Sequence, residues 1–172
     1  MLYKLWELGV KGMFFKLKCI AEMYSHSSAK VKLLNKLSEM IVIQCGTEQG
    51  HPMSPELFKC VIHQLSLDLD NAEAVNAPEL KNIKITHLLW ADDLILLALD
   101  QDGLQLLLDI LFSYCIDWGL TVNISKTAVM VFYRSGRLLK EILLFMFGDN
   151  NVASVREYCC LGIRFTLSGS RR

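Results

Sequence analysis

Two adjacent acidic residues, Asp92 and Asp93, interrupt the most apolar part of this sequence. A strand-like apolar run at 83–89 precedes them, and a second apolar run at 94–99 follows directly. Strand, short polar turn and strand is the pattern of a β-hairpin, which puts both carboxylates at its tip. The pattern therefore predicts β-structure at the centre of the chain with a pair of acids at a turn.

Two carboxylates at a tight apolar hairpin repel each other and lose hydration, which is unfavourable unless something compensates. Mg²⁺ is a natural compensator, because it prefers oxygen ligands and often bridges protein carboxylates to substrate phosphates. Two such ions about 4 Å apart can activate a 3′-hydroxyl and stabilise the leaving pyrophosphate. The alternative is a solvated turn that happens to contain two aspartates, since Asp is common in turns. The dipeptide alone leaves both interpretations open.

Helical and strand periodicities alternate along the rest of the chain. The predicted helices are 2–8, 12–24, 55–71 and a segment that opens at Asp102 or Gly103 and runs to about Asp117. The predicted strands are 29–34 and 39–45 around the turn-like Asn35-Lys36, then 83–89, 94–99, 121–123, 128–133, 142–147 and 161–166. Ser54 and Pro55 suit the N-cap and first position of the third helix, and Gly119 suits the C′ position after the fourth.

Composition excludes several classes of protein. Hydrophobic residues make up 52% and charged residues 21% of the 172, so there is material for a core and no case for global disorder. No apolar stretch reaches the roughly 18 residues of a membrane span, and no signal-peptide pattern follows Met1. The six cysteines form no C-x-x-C pair, so we interpret them as reduced thiols. We therefore expect an intracellular chain that is not secreted and has no membrane partner.

The charge is balanced overall but unevenly distributed. Eighteen basic and eighteen acidic residues give a net charge of zero. Residues 1–40 hold seven lysines and three acids, residues 66–109 hold nine acids and two lysines, and residues 110–172 hold eight basic residues and four acids. An acidic centre between basic ends suits a metal site beside a polyanion groove. Accidental unevenness of solvated faces gives the same pattern, so charge alone does not decide.

Two further segments have features of phosphate contacts. Residues 49–55 lead into the N-terminus of the helix 55–71, where backbone N–H groups and the helix dipole favour an anion such as a nucleotide phosphate. Asn123 and Lys126 follow the helix that ends at Gly119, and Lys126 is a candidate contact for a triphosphate. A plain helix entry and a solvated lysine are the respective alternatives.

Four motif-like segments follow one another along the chain. They are Gly46-Thr47-Glu48-Gln49-Gly50-His51-Pro52-Met53-Ser54-Pro55-Glu56-Leu57-Phe58, Trp90-Ala91-Asp92-Asp93, Gly119-Leu120-Thr121-Val122-Asn123-Ile124-Ser125-Lys126-Thr127 and Leu161-Gly162-Ile163. Their order and spacing resemble a reverse transcriptase of the non-LTR (LINE-type) retrotransposon class over most of the chain. The resemblance implies an α+β fold, in which a polymerase palm-like antiparallel sheet carries the Asp92-Asp93 hairpin and is backed by helices near 55–71 and 103–117.

The resemblance also implies an activity and a set of partners. Family members carry out RNA-templated DNA polymerisation with Mg²⁺ (or Mn²⁺), an RNA template, a DNA primer and dNTPs, usually inside a longer polyprotein. Asp92 and Asp93 resemble the two palm aspartates that hold metal, and Lys126 resembles the lysine near the departing pyrophosphate. The residues implied in nucleotide or template binding are Gln49, Gly50, Pro52, Ser54, Pro55, Trp90, Ala91 and Asn123. The residues of a primer-grip-like hairpin are Tyr158, Cys160, Leu161 and Gly162.

Several features depart from the family pattern. The family has a third metal-binding aspartate on an upstream strand, and residues 1–9 resemble the segment just after that strand. We therefore expect a truncated domain with fingers and thumb missing, and no measurable polymerisation by this chain alone. His51 stands where the family usually has a small residue. Trp90 stands in place of a Tyr or Phe, and Cys160 in place of an aromatic residue. The expected division is 1–45 as a fingers/palm remnant, 46–133 as the palm core and 134–172 as the palm end with the primer-grip-like hairpin.

A non-catalytic retroelement remnant is the alternative function. Such a module would bind RNA or a protein partner through the basic ends of the chain. It should keep salt-dependent RNA affinity after Asp92→Asn, because phosphate contacts come from Lys and Arg. A polymerase domain should instead lose metal-dependent dNTP binding with that substitution.

Overall fold

The computed structural model describes residues 14–25, 27–43, 46, 50–132 and 143–167. Within these residues the chain is a mixed α+β protein, as predicted. The helices are α1 (Phe14–Ser25), α2 (Ser54–Asp70) and α3 (Gln101–Trp118). The strands are β1 (Ser28–Ala29), β2 (Lys32–Leu33), β3 (Lys36–Leu37), β4 (Ile41–Val42), β5 (Glu79–Leu80), β6 (Ile83–Lys84), β7 (His87–Trp90), β8 (Asp93–Leu96), β9 (Ala128–Val129), β10 (Phe145–Phe147), β11 (Asn150–Ser154), β12 (Glu157–Cys160) and β13 (Ile163–Thr166).

The chain divides into two compact units, 1–64 and 65–172, and the division falls inside α2. The domain boundaries expected from the sequence, at 45/46 and 133/134, stay predictions. The predicted helix 2–8 lies outside the described residues, as do the ends of the predicted strands at 44–45, 133 and 142.

A two-stranded ribbon dominates the described part of the first unit. Strand β1 pairs with β4, and β2 pairs with β3, both antiparallel. The predicted turn at Asn35-Lys36 is wrong by one residue, because Lys36 pairs with Leu33 and the turn is made by Leu34 and Asn35, with Leu34 at φ 53°. Between the two pairs, the Ser38 hydroxyl accepts a hydrogen bond from the Val31 amide at 2.9 Å, which interrupts the ladder. The ribbon is therefore two short pairs where the sequence suggested two longer strands.

Two hydrophobic clusters form the core of the second unit. The first joins the end of α2 and the loop after it to α3, and its buried members are Leu65, Leu69, Ala72, Val75, Ala77, Leu107 and Tyr114. The second joins α3 to β9, β10 and β11, and its buried members are Leu108, Cys115, Val129, Phe145, Phe147 and Val152. Helix α3 therefore lies between the two clusters. Burial, with a smaller contribution from the Asp68 carboxylate, raises the pKa of Tyr114 to about 12.

Local hydrogen bonds define the ends of α3. The Asp100 carboxylate accepts a hydrogen bond from the Gly103 amide at 2.7 Å, so the helix begins at Gln101, slightly before the predicted start. Gly119 adopts the left-handed conformation at φ 63°, and its amide donates to the carbonyls of Cys115 and Ile116. The prediction that Gly119 ends this helix is confirmed.

The described strands form six small sheets, and the one antiparallel sheet expected from the sequence is not continuous within this part of the chain. Five sheets have two strands, and the sixth has the order β10-β11-β9 with β9 and β11 parallel. The predicted strand 83–89 is split at Ile85 and Thr86, because β6 turns back to pair with β5. The predicted strand 121–123 is wrong, and 128–133 shortens to Ala128–Val129. Strands β5 and β11 were not predicted, and β12 was implied only by the resemblance to a primer-grip hairpin.

Two glutamines of α3 cover the outer edge of β10. The Gln105 side-chain amide accepts a hydrogen bond from the Met146 amide and donates to the Met146 carbonyl, both at 2.9 Å. Gln101 donates to the Leu144 carbonyl at 3.2 Å. The glutamines therefore occupy the position of a further strand along an edge that is otherwise open to pairing.

We expect Gln105→Ala to lower the free energy of unfolding by about 1 kcal/mol, because water replaces the lost bonds only in part. Gln101→Ala removes one longer bond and is the matched control, for which a smaller loss is expected. Urea unfolding of both variants measures the difference. Equal losses would contradict a specific role of Gln105 at this edge.

Candidate functional site

The hairpin of β7 and β8 presents the two acidic residues at its tip. Trp90 pairs with Asp93, so Ala91 and Asp92 form a two-residue turn. Ala91 adopts φ 52°, a left-handed conformation that costs a non-glycine residue about 1 kcal/mol. The predicted hairpin is confirmed, with Asp92 in the turn and Asp93 as the first residue of β8.

The two faces of this hairpin differ in burial. Leu94 and Leu96 pack against the first hydrophobic cluster, whereas Leu88 and Trp90 on the other face are exposed, Trp90 to 70%. Both aspartates are exposed as well. The desolvation cost expected from the apolar flanks is therefore absent, because the packed face of the hairpin lies away from the carboxylates. Of the two unfavourable effects expected from the sequence, only the mutual repulsion of the adjacent carboxylates remains.

The donor chemistry of the hairpin tip suits a hard divalent cation. Neither Asp92 nor Asp93 accepts a side-chain hydrogen bond or forms an ion pair with any residue that the structure describes, so their oxygens are available as ligands. Mg²⁺ is commonly held by one or two protein carboxylates together with substrate phosphates. No group of three or more His, Cys, Asp or Glu residues converges on a metal position within the described residues.

A short helical turn, Ile124–Lys126, holds the predicted phosphate-contacting lysine. The Asn123 carbonyl accepts hydrogen bonds from the Lys126 amide at 3.0 Å and from the Thr127 hydroxyl at 2.9 Å. The Asn123 side-chain oxygen accepts from the Ser125 hydroxyl at 2.7 Å, so part of that amide is already engaged within the turn. The Lys126 side chain is exposed, which leaves its ammonium accessible to an anionic ligand.

The predicted primer-grip-like hairpin contacts the lysine turn. Strands β12 and β13 pair antiparallel around Leu161 and Gly162, which both have positive φ, as a tight hairpin turn requires. The Tyr158 hydroxyl donates a hydrogen bond to the Lys126 carbonyl at 2.5 Å. This hydrogen bond brings together two segments that are 32 residues apart in the chain and were predicted separately. Cys160 is half-buried and Leu161 is exposed.

The predicted nucleotide-contacting segment lies in the first unit, at the start of α2. Gln49 lies outside the described residues, and Gly50 adopts φ 92°. The His51 ring nitrogen Nδ1 accepts a hydrogen bond from the Met53 amide at 3.2 Å, and the His51 carbonyl accepts from the Ser54 amide at 3.1 Å. His51 therefore shapes this turn.

The start of α2 differs from the predicted cap. The Met53 carbonyl accepts a hydrogen bond from the Leu57 amide at 3.0 Å, so Ser54 is the first residue of the helix and not its N-cap. Ser54 is buried, whereas Pro52 and Pro55 are exposed. The helix entry itself is confirmed, one residue earlier than predicted.

A polar cluster that the sequence did not indicate lies at the open end of the β7–β8 hairpin. His87 Nε2 lies 2.8 Å from the Ser66 hydroxyl, and His87 Nδ1 lies 3.1 Å from the Thr86 hydroxyl. The Thr86 hydroxyl donates to Asp70 Oδ1 at 3.3 Å. The only available signal was the i, i+4 spacing of Ser66 and Asp70 on one helical face, which gives no hint of a histidine partner.

No described helix is long and apolar enough to cross a bilayer.

Comparison with known proteins gives a family match over nearly the whole chain. The family described as reverse transcriptase (RNA-dependent DNA polymerase) matches residues 2–165. The "Retrovirus-related Pol polyprotein from type-2 retrotransposable element R2DM" of Drosophila melanogaster is 30% identical over 141 residues, which cover 78% of this chain and 13% of that protein. The "Retrovirus-related Pol polyprotein from type-1 retrotransposable element R2" of Nasonia vitripennis is 30% identical over 116 residues, which cover 67% of this chain and 11% of that protein. The chain thus spans a small part of these relatives.

Proposed function

The chain belongs to the reverse transcriptase family and is related to the Pol polyproteins of R2 non-LTR retrotransposons, and from this premise we propose that it contributes the metal- and nucleotide-binding centre of an RNA-directed DNA polymerase. The reaction is attack of a primer 3′-hydroxyl on the α-phosphate of a dNTP, directed by an RNA template. The substrates are the RNA template, the DNA primer and the dNTP.

The hairpin tip carries this proposal. Asp92 and Asp93 are exposed at a strained two-residue turn, and no other described side chain engages their oxygens. Two adjacent charges held apart from any internal partner fit a ligand supplied from outside the protein, and strained turns of this kind occur at functional sites. Asp92 and Asp93 would hold Mg²⁺ (or Mn²⁺), which when bound supplies positive charge at the reacting phosphate.

The other predicted residues take supporting roles in this proposal. The exposed Lys126 ammonium meets the triphosphate, and its backbone is held by Asn123 on one side and by the Tyr158 hydroxyl on the other. Trp90 and Ala91 flank the metal ligands in the nucleotide pocket. The segment from Gln49 and Gly50 through Pro52, Ser54 and Pro55 packs on the template and the incoming nucleotide.

We assign the fold to a palm-like sheet, with β7–β8 as its catalytic hairpin and β12–β13 as the primer-grip-like hairpin. Residues 1–45 would be a fingers/palm remnant, 46–133 the palm core and 134–172 the palm end. Tyr158, Cys160, Leu161 and Gly162 then contact the primer. With the two proposed metal ligands of these 172 residues alone, we expect substrate binding without measurable DNA synthesis.

The test is dNTP binding that depends on a divalent metal. We expect the chain to bind a fluorescent dNTP analogue in Mg²⁺ and to release it on addition of EDTA. Binding that is equal with Mg²⁺ and with EDTA would contradict the proposal.

A non-catalytic RNA-binding module is the second candidate, and the ribbon of the first unit favours it. Every residue from Ser28 to Ile43 is exposed, and the stretch carries Lys30, Lys32 and Lys36 against the single acid Glu39. Because lysines contact phosphates without reading sequence, such a ribbon would bind single-stranded RNA in a salt-dependent way.

Replacing Lys30, Lys32 and Lys36 with glutamine together should weaken RNA binding if this second candidate holds. Each lost phosphate contact reduces the slope of log affinity against log salt by about 0.7, so the slope should fall by about 2. Fluorescence anisotropy with labelled single-stranded RNA at several salt concentrations measures it. The double variant Lys59→Gln, Lys81→Gln is the control, and Asp92→Asn should leave this affinity unchanged. A slope unaltered by the triple substitution would exclude the ribbon as an RNA contact.

A further inference from the structure

The polar cluster of Ser66, Asp70, Thr86 and His87, here called the His87 cluster, is nearly closed to solvent at its centre. The His87 side chain is 9% exposed and Thr86 is 1% exposed, whereas the Asp70 carboxylate reaches solvent. Buried polar groups are costly unless each one is hydrogen-bonded, and both ring nitrogens of His87 have a hydroxyl within 3.1 Å. The cluster is therefore a satisfied internal network.

The directions of the hydrogen bonds follow from the available protons. The single proton of the Thr86 hydroxyl is donated to Asp70 Oδ1, so Thr86 Oγ1 accepts from His87 Nδ1–H. In a neutral ring, His87 Nε2 is then the acceptor and takes the proton of the Ser66 hydroxyl. For that ring the network selects the Nδ1–H tautomer, in a chain running from Ser66 to the Asp70 carboxylate. Bonds aligned head to tail in this way strengthen one another.

The His87 cluster ties the acidic hairpin to α2. Ser66 and Asp70 lie on one face of α2, and Thr86 and His87 begin β7. His87 pairs with Leu96, and the Leu97 amide donates to the Thr86 carbonyl at 2.8 Å, so both strands are held at the open end. Strand β7 ends three residues further along, at Trp90, about 10 Å away at the rise of a β-strand, and the turn with Asp92 follows it. A small rotation at the open end therefore moves the carboxylates of Asp92 and Asp93.

We propose that His87 is a positioning residue, which sets the orientation of the β7–β8 hairpin and thereby the geometry of the metal ligands Asp92 and Asp93. The proposal rests on the metal-binding role proposed above for these two aspartates. The spacing of Ser66, His87 and Asp70 also resembles a nucleophile, base and acid, but Ser66 lies in the middle of α2, where backbone amides are engaged in helical bonds and form no oxyanion hole. The network orients the hairpin and does no hydrolytic chemistry of its own.

The test compares three variants of the full chain with a control outside the cluster. His87→Ala removes both ring bonds, Ser66→Ala removes one with little change in packing, and His87→Asn keeps an amide N–H where Nδ1–H donates to Thr86. Gln105→Ala is the control, because it loses hydrogen bonds at the edge of β10 without touching the cluster. The readouts are amide hydrogen exchange in β7 and β8 without metal, and Mn²⁺ affinity followed by electron paramagnetic resonance.

We expect His87→Ala to speed exchange of the β7 and β8 amides about tenfold and to weaken Mn²⁺ binding about tenfold. Ser66→Ala should show the same changes to a smaller degree, and His87→Asn should restore both readouts to within about threefold of the parent. Gln105→Ala should alter neither. If His87 had a purely structural role, His87→Ala and Gln105→Ala would show the same amide exchange in β7 and β8 and the same Mn²⁺ affinity, after correction for their stability.

The two proposals fail in different ways. If Mn²⁺ binding by the parent does not depend on Asp92, the metal-binding role is wrong, and exchange in the metal-free chain still decides whether His87 orients the hairpin. Exchange in β7 and β8 that is the same in the parent, His87→Ala and Ser66→Ala overturns the positioning role. If His87→Ala does not fold, Ser66→Ala and His87→Asn carry the comparison.

Discussion

Asp92→Asn is expected to weaken metal-dependent dNTP binding by about 100-fold or more. The substitution removes one of the two carboxylates at the hairpin tip and keeps the shape of the side chain. Even changes to groups behind a metal ligand commonly cost 10–100-fold in affinity, so loss of a ligand itself should cost at least as much. Titration of a fluorescent dNTP analogue in Mg²⁺, with the parent and the variant side by side, measures the loss.

Asp117→Asn is the matched control for this prediction. Asp117 is exposed near the end of α3, and the substitution changes the net charge by the same amount. Its dNTP affinity should stay within about twofold of the parent, because an exposed charge far along the surface is screened by salt. Equal losses in both variants would mean that overall charge, and not a metal site at Asp92, governs the binding.

Gly148→Ala is expected to lower the free energy of unfolding by about 2–4 kcal/mol. Gly148 makes the turn between β10 and β11 at φ 58°, where any side chain is strained. A Cβ atom there would clash with the Phe112 ring at Cε2 and Cζ. The Phe112 ring is held edge-on against Phe147, with centroids 5.2 Å apart, so it cannot move away without loss of packing. Overpacking of this kind typically costs about 1–3 kcal/mol, added to the backbone strain of about 1 kcal/mol.

Gly119→Ala separates the two contributions. Gly119 has nearly the same backbone conformation, at φ 63°, but a Cβ atom there would meet nothing within 4 Å. Gly119→Ala should therefore lower the free energy of unfolding by about 1 kcal/mol, from backbone strain alone. In a Phe112→Leu background the cost of Gly148→Ala should fall toward that value. Urea unfolding of the single and double variants decides, and equal costs at both glycines would contradict the clash with Phe112.

The parts of the fold that sequence predicted well are those with short-range causes. The Asp92-Asp93 hairpin follows from two apolar runs around a polar pair, and Gly119 ends α3 because glycine adopts the left-handed conformation easily. The helix ends at Ser54 and Gln101 were misplaced by only one or two residues, since the side chains of His51 and Asp100 decide them locally.

The parts that sequence did not predict depend on residues far apart in the chain. The parallel pairing of Ala128 with Ala153 leaves no local pattern, because either strand is too short to show a period. The Tyr158–Lys126 bond joins two segments 32 residues apart, which were each predicted for separate reasons. The His87 cluster was missed because its members are ordinary surface residue types in the sequence, and only the fold makes them partners. Local periodicity carries no information on such pairings.

The central claim is that Asp92 and Asp93 bind a divalent metal, and paramagnetic broadening by Mn²⁺ in nuclear magnetic resonance spectra tests it most directly. Substoichiometric Mn²⁺ should broaden the amide signals of Ala91, Asp92, Asp93 and Leu94 first, and excess Mg²⁺ should restore them. In Asp92→Asn the same signals should stay sharp at that Mn²⁺ concentration. Broadening that begins elsewhere in the chain, or that is unchanged in Asp92→Asn, would contradict a metal site at the hairpin tip.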